Sequence, residues 1–357
     1  MSTVNQNSKD YLIVGCGIAG LLIVEQLIQH QQSFTVIDGP TSSASMVAGG
    51  LYNPVVLKRF RAVWKASYAL SVAIPTYERL EALLQSVWLY EGPIYRRLAN
   101  TAEFNKWITA ADQPELSPFL SVEFKRNSNS YLIADSGFGQ VLRGGRLDVA
   151  SLLVAFKDFL KTQRSIHEVT FDYDQLEVSS DQITYEGTSY KHLIFAEGMG
   201  VLQNPYFNSL PIQGNKGEYL KIYAPQLKLD AIYKSDIFII PLGDHKYLVG
   251  ATYDRFDQSM DPTSAARQTL VDKLKALITC DFDIIGQLAG IRPTVPDRRP
   301  VVGTHPQWSR IHILNGLGSR GVLHGPMVAK SLYDAIAYQV PIDAEIALDR
   351  FTKWVKY

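Results

Sequence analysis

The stretch "DYLIVGCGIAGLLIVEQLIQHQQSFTVIDG", residues 10–39, limits the fold of this chain more than any other. Tyr11 to Val14 form an apolar run that reads as a buried parallel strand, and "LLIVEQLIQH" has helical length. Between them Gly15, Gly17 and Gly20 fall in G-x-G-x-x-G spacing. The three glycines act differently. Gly15 allows the sharp turn, Gly17 lets backbone approach a pyrophosphate, and Gly20 lets helix and strand pack closely. The phosphates then rest on the helix N-terminus, where unpaired N–H groups and the helix dipole favour negative charge. A second short strand, "FTVID", ends in Asp38, 18 positions after Gly20, where a carboxylate can accept both hydroxyls of an adenosine ribose. Strand, turn, helix, strand and terminal acid together predict a Rossmann-type nucleotide site. The fingerprint does not separate NAD from FAD, because both carry the same ADP half. Cys16 reads as a small residue that fits the turn.

At 357 residues, 46% apolar and 20% charged, the chain is long enough for two packed domains and is neither disordered nor fibrous in composition. Lys+Arg and Asp+Glu are both 35, so total charge gives no argument for a nucleic-acid partner. Cysteine occurs only at Cys16 and Cys280, and no stretch reads as a cleavable leader, which predicts a reduced, cytoplasmic protein. Glycines break the longest apolar runs, and no membrane helix is predicted. The seven histidines have no metal-ligand spacing and two cysteines cannot form a zinc cluster, so no metal site is expected.

Later segments return to the nucleotide. "SSASMVAGGLYNP", residues 42–54, places Gly49 and Gly50 where backbone can lie close to a flat cofactor. "KHLIFAEGMG", residues 191–200, is an apolar strand running into Ala196, Glu197 and Gly198, which suits a return to the same sheet. "IHILNGLGSRGVLHGPMVAKSLYDAI" is a strand followed by Gly316, Gly318 and Gly321 and then a helix predicted from about Pro326. A second glycine-rich strand-to-helix turn brings another positive helix end to the site, which suits a flavin, since reduction leaves negative charge near N1 and O2 of its ring. "AGIRPTVPDRRPVVG" sets Arg292 directly before a proline, which predicts extended geometry. His324 reads as a structural hydrogen-bonding residue near the last turn.

These segments, with "RLDVASLL", "GNKGEYLKI" and "IIPLGDHKYLVGAT", run in motif order from about residue 10 to 340. In that order the sequence resembles the D-amino-acid oxidase family of FAD-dependent oxidoreductases, in particular its glycine and sarcosine oxidase branch. It also resembles the flavin domain of the bifunctional enzyme that matures 5-methylaminomethyl-2-thiouridine in tRNA. The resemblance implies a fold of class α/β and α+β: a Rossmann-type FAD-binding domain, glutathione-reductase-like, with an inserted antiparallel-sheet substrate domain. Residues 1–61, 136–209 and 286–357 are assigned to the FAD domain, and 62–135 and 210–285 to the substrate domain. Helices are expected in "TYERLEALLQSVW" and "PTSAARQTLVDKLKALI", and residues 1–9 are expected to be frayed. To the glycines, Asp38 and Ala196 the resemblance adds Ile18, Ala19, Ala48, Val169, Ser319 and Val322 as FAD-contacting positions.

The resemblance also implies that Arg292 lies above the flavin and grips a substrate carboxylate, with Arg320 close to the same site. The plainer alternative for Arg292 is an internal ion pair, most simply with Asp297; Arg298 and Arg299 read as surface charges. One departure stands out. Glycine oxidases carry a tyrosine where "DIFIIP" has Phe238, which removes a hydroxyl from the substrate site and makes glycine a less secure substrate. Tyr219 or Tyr247 could replace that hydroxyl from a neighbouring strand, or could be ordinary core. The implied reaction is hydride transfer from the carbon bearing a neutral amine to FAD, hydrolysis of the imine, and passage of electrons to oxygen or another acceptor. Two alternatives stay open: a flavoenzyme for a tRNA-borne or other bulky amine, and a non-catalytic FAD-binding interaction protein. "LKRFRAVWK", with Lys58, Arg59, Arg61 and Lys65 around Phe60 and Trp64, could serve nucleic acid, but reads first as a solvated charged face with two core aromatics.

Overall fold

A computed structural model describes residues 8–40 and 43–351 of the chain. The first sheet is built on strands β1 (Ser8–Val14), β2 (Phe34–Ile37) and β3 (Thr188–Phe195). β2 and β3 pair in parallel on either side of β1, a short strand Ile166–His167 extends the β2 side, and Ile311–Asn315 lies parallel to β3. Parallel strands need crossovers, and the first is α1 (Ile18–Gln29). α1 is apolar almost all round, so it is buried all round, from Ala19 to Leu27. Its one carboxylate, Glu25, survives burial because Arg79 Nε donates to it at 2.8 Å and Gln26 Nε2 at 2.6 Å.

Four helices lie between α1 and the last one: α2 (Ala66–Leu84), α3 (Thr101–Ala111), α4 (Val149–Thr162) and α5 (Ser264–Lys275). The last, α6 (Gly321–Tyr338), packs on both α1 and α2. It begins at Gly321, five residues earlier than the proline-based expectation, so Pro326 lies inside it. The missing N–H of Pro326 would leave the carbonyl of Val322 bare, and Tyr77 of α2 donates its hydroxyl to that oxygen at 2.7 Å.

The second sheet contains β4 (Gln213–Tyr223), β5 (Ile232–Lys234), β6 (Phe238–Gly243), β7 (Lys246–Gly250) and β8 (Asp283–Thr294), in the order β8-β4-β7-β6-β5. Three further strands, Ile94–Arg97, Phe138–Val141 and Leu120–Lys125, continue it beyond β5. One face packs on α5 through Leu220, Ile222, Val249, Leu270 and Leu274. The other faces the nucleotide sheet.

The elements cross the expected boundaries at three places, one of them β8, which belongs to the second sheet although most of it falls in residues 286–357, assigned to the FAD domain. Phe138–Val141 belongs to the second sheet, although residues 136–209 are assigned by resemblance to the FAD domain. α2, assigned to the substrate domain, packs on α6 beside the nucleotide sheet. Ser8 and Lys9, expected to fray, pair with Ser189 and Tyr190 in β1. Residues 1–7 and Ser42 lie outside the described residues.

Candidate active site

A cavity of about 680 Å³ runs between the two sheets. Its nucleotide end starts at the first turn. Gly15 has φ +96°, and a Cβ on Gly20 would lie 1.9 Å from the Gly15 carbonyl oxygen, so neither position tolerates a side chain. Asp38 follows β2, and its Oδ1 accepts the Cys16 N–H at 2.7 Å. Its Oδ2 meets Lys157 Nζ of α4 at 2.5 Å. Sequence reasoning misses Lys157, which lies 119 residues from Asp38 in the chain with no local pattern to mark it. A carboxylate has about four acceptor sites, so Asp38 keeps capacity for ribose hydroxyls beside these two bonds. Burial pushes the Cys16 thiol up to about 12, consistent with an inert packing residue.

Two helix N-termini open into this cavity. Gly17 has no side chain with which to cap α1, and only Ile18 N–H has a side-chain acceptor there, Ser45 Oγ at 3.0 Å. α6 likewise starts without a side-chain cap. Asn315 ties the turns together: its Nδ2 donates to Gly198 O at 2.8 Å, and its Oδ1 accepts Gly316 N–H at 2.7 Å. An uncapped α1 suits a pyrophosphate, and an uncapped α6 at the other end suits a ring that gains charge on reduction.

Most expected cofactor positions form the wall: Gly15, Gly17, Ile18, Ala19, Asp38, Ala48, Gly49, Gly50, Ala196, Gly198, Gly318, Ser319, Gly321 and Val322. Gly20 and Gly316 lie behind it. A Cβ on Gly316 would meet Val295 Cγ2 at 2.6 Å, so Gly316 shapes the turn from the protein side. Val169 is exposed and outside the wall, just past the edge strand Ile166–His167.

At the opposite end stands Arg292 on β8. Asp297 does not hold it, because Asp297 pairs with Arg350 Nε at 2.9 Å. Among the described residues Arg292 makes no ion pair, and its buried Nη1 has no hydrogen-bond partner. The side chain lies flat over β4 at Gly217, where a Cβ would sit 1.9 Å from Nη2. The ring of Tyr253 covers it, with the guanidinium carbon 4.7 Å from the centroid. Tyr253 is held in turn by its hydroxyl against Ser319 Oγ at 3.0 Å. Arg320 is half-buried in the same wall, and burial lowers its pKa.

Strand parity decides the three aromatic candidates. Phe238 opposes Gly250, and Gly250 opposes Tyr219, so both aromatics rise from one row on the cavity face. Tyr219 faces Arg292; burial pushes its phenol up and the guanidinium pulls against that shift. Tyr247 is three residues from Gly250 and therefore points to the other face, where its hydroxyl accepts the Leu229 N–H at 3.3 Å. It belongs to the core beneath α5 and not to the cavity.

His324 is buried and donates from Nε2 to Trp64 O at 3.0 Å, the structural role expected of it. In the basic segment Arg59 and Arg61 are exposed, and the other residues go to different places. Lys58 lines the cavity, Phe60 packs edge-on against Trp107, Trp64 Nε1 donates to Glu345 at 2.5 Å, and Lys65 pairs with Asp343. Arg299 also pairs with Glu345, at 3.3 Å. Among the described residues no helix is long and apolar enough to cross a membrane, and no group of His, Cys, Asp and Glu has metal-site geometry.

A Rossmann turn, two helix ends converging on one cavity and a cation-bearing sheet above the far end define a flavoprotein oxidoreductase. Residues 10–335 match the profile described as FAD dependent oxidoreductase, abbreviated DAO, and the chain belongs to that family and takes FAD as its cofactor. The chain is 24% identical to a glycine oxidase of Pseudomonas aeruginosa over 94% of its own length and 96% of the relative's. The tRNA 5-methylaminomethyl-2-thiouridine biosynthesis bifunctional protein MnmC of Haemophilus ducreyi is 23% identical over 95% of this chain and 58% of the relative, and two further matches are shorter. With the glycine oxidase of Bacillus subtilis this chain shares 27% identity over 41% of each chain. With the MnmC of Maricaulis maris it shares 37%, over 28% of this chain and only 17% of the relative. Among solved structures, glycine oxidase from Bacillus cereus superposes with a TM-score of 0.75 at 18% identity, covering 94% of this chain and 96% of that one.

Proposed function

We propose that the protein oxidises the C–N bond of an amino acid or secondary amine acid, with Arg292 as the carboxylate clamp. The observation that carries this reading is a permanent cation over the ring end of the cavity with no carboxylate partner of its own among the described residues and one buried donor unpaired. A buried unpaired donor costs about 1–3 kcal/mol, and a substrate carboxylate removes that cost with a planar two-point contact. Bound FAD supplies the hydride acceptor. The chain's own residues do the positioning: Arg292 fixes the acid, Tyr253 excludes water from its outer face, and Phe238 and Tyr219 floor the space beneath the amine. Phe238 offers no hydroxyl, and Tyr219, in the same row, brings one beside Arg292.

The relatives named glycine oxidase support this reading. The similarity to MnmC supports a second one, an amine carried on tRNA; of the basic residues of 57–65, Lys58 lines the cavity and Lys65 pairs with Asp343, which leaves Arg59 and Arg61 exposed, a small footprint for nucleic acid. The test is anaerobic bleaching of the flavin absorbance by a panel of free amino and N-alkyl amino acids. Bleaching by free amine acids without nucleic acid supports the proposal. Bleaching only by modified tRNA, with the steep salt dependence of phosphate contacts, would replace it.

A further inference from the structure

Among the described residues, Arg292 is not the only cation in the cavity wall without an acid partner. Lys234, at the end of β5, opposes Phe238 on β6; Phe238 opposes Gly250; Gly250 opposes Tyr219. Directly opposed residues share a face, so Lys234, Phe238 and Tyr219 stand in one row across the sheet, and all three line the cavity. With strands about 4.8 Å apart, Lys234 and Tyr219 are roughly 14 Å apart at their Cα atoms. Arg292 lies at the Tyr219 end. The two cations therefore bracket a slot floored by Phe238, Gly250 and Tyr219.

Lys234 is turned into this slot. Its Nζ lies 4.8 Å from the centroid of the Phe238 ring, and its hydrogen bond goes to the carbonyl of Ser235. An ammonium has three donors, so this bond leaves donor capacity. Among the described residues no carboxylate comes within ion-pair distance of Lys234; Asp236 also lines the cavity without reaching it, and Lys58 adds a further positive charge to the wall. On the neighbouring strand Arg96 opposes Lys234 but is committed to Glu103 at 3.0 Å.

We propose that Lys234 receives a second carboxylate, so that the preferred substrate is a dicarboxylic amine acid held by Arg292 at the acid beside the reacting carbon and by Lys234 at the far acid. This rests on the amine-acid reading above. A distal ammonium group would be repelled by Lys234 and Lys58. A distal apolar group would cover Phe238 but leave the ammonium with no counter-charge. Glycine is too short to span from one cation to the other.

The probes are dicarboxylic thioethers, which carry sulfur in place of the amine and cannot be oxidised the same way, in a series of increasing methylene count. Each is paired with a monoacid of equal length that ends in methyl. Binding to the FAD-replete protein is followed by calorimetry and by perturbation of the flavin spectrum. In the wild type one diacid is expected to bind roughly 10- to 100-fold tighter than its monoacid, the range of one hydrogen-bonded charge pair. Lys234→Met is expected to bring that ratio close to one, Lys234→Glu to invert it, and Lys234→Arg to preserve it, which separates lost charge from a folding defect. The matching N-carboxyalkyl and N-alkyl glycines, used as flavin reductants, are expected to give the same order. If monoacids bind and reduce the flavin but diacids have no advantage, or the advantage survives in Lys234→Met, the second carboxylate is wrong and the amine-acid reading stands. If neither series binds in an Arg292-dependent way, both fall.

Discussion

The role proposed for Arg292 rests on three small facts about its neighbours. Gly217 leaves room for the guanidinium to lie flat, Tyr253 covers it, and Asp297 is already taken by Arg350. Arg292→Lys keeps the charge and loses the fork, so kcat/KM for a carboxylate substrate should fall by roughly ten- to a thousandfold. Because the native side chain has no acid partner to strand among the described residues, the melting temperature of that variant should stay near wild type; a matched loss of stability and activity would restore the structural ion-pair view. Asp38 makes a different case, since its carboxylate holds both the Cys16 N–H and Lys157. In Asp38→Ala the ribose loses an acceptor and Lys157 loses its anion, and FAD affinity should drop by about 1–3 kcal/mol in a flavin titration. Unchanged affinity would remove Asp38 from the ribose site. At this scale the sequence marks Arg292 and Asp38 because each sits at a fixed offset from local landmarks, a proline and a glycine turn. Lys157 and Lys234 carry no such mark. They reach the cavity through α4 and through a register four strands wide, and neither is encoded within a short window.

Among the elements, the first turn of α6 and the loop after β7 bring the most to the site. In the first turns of α6, which begins at Gly321, Tyr77 supplies the donor that Pro326 lacks. Tyr77→Phe should therefore cost about 1–2 kcal/mol in denaturant unfolding while leaving the packing of the ring intact. A cost near zero would mean that the Val322 carbonyl finds water instead. The loop between Gly250 and Thr263 carries Tyr253 over Arg292, and its anchor is Lys216, 1% exposed. The Lys216 ammonium meets Asp257 Oδ2 at 2.6 Å, Ser259 Oγ at 3.0 Å and the carbonyl of Asp261 at 2.5 Å. Beside it Glu218 accepts from Thr263 and from Gln287. Lys216→Met should cost on the order of 3–5 kcal/mol and make the loop sensitive to chymotrypsin at the exposed Phe256. Wild-type resistance at Phe256 would show that the loop is held by other contacts. Parity explains why Tyr247 is a reasonable candidate in the sequence and yet faces α5: alternation within one strand is plain from sequence, but which face meets the cofactor depends on the register with β4 and β6.

Over the whole molecule, motif order makes the family and the nucleotide half legible, because each glycine turn is local and its strand and helix follow at once. The division of the chain is less legible. Phe138–Val141 joins a sheet whose partners come from residues 94–97 and 120–125, and α2 crosses to pack on α6, contacts that only closure of long loops creates. The same closure takes four of the seven histidines of the sequence largely out of water without an ion-paired acid to charge them. Burial lowers His192 and His324 to about 4, lowers His305, and with His192 beside it takes His312 well below its ordinary value. His192 and His312 touch through Nδ1 and Nε2 at 3.1 Å, so both cannot hold protons cheaply. A folded pKa below the unfolded one means that the unfolded chain binds more protons between the two values. Stability is then highest above about pH 6.5 and falls as pH drops toward 4, by up to roughly 1.4 kcal/mol per pH unit for each histidine titrating. Glu197, raised by burial, works in the opposite sense in the fold, and Asp257, held at about 2 by Lys216, adds its loss only at lower pH. Urea midpoints at pH 7.5, 6.0 and 5.0 should therefore fall steadily, with proton uptake on unfolding at the lower two. In His324→Gln, which keeps a neutral donor for Trp64 O, the slope should shrink by about one proton. Midpoints that stay flat from pH 7.5 to 5.0 would show that these imidazoles charge in the folded protein.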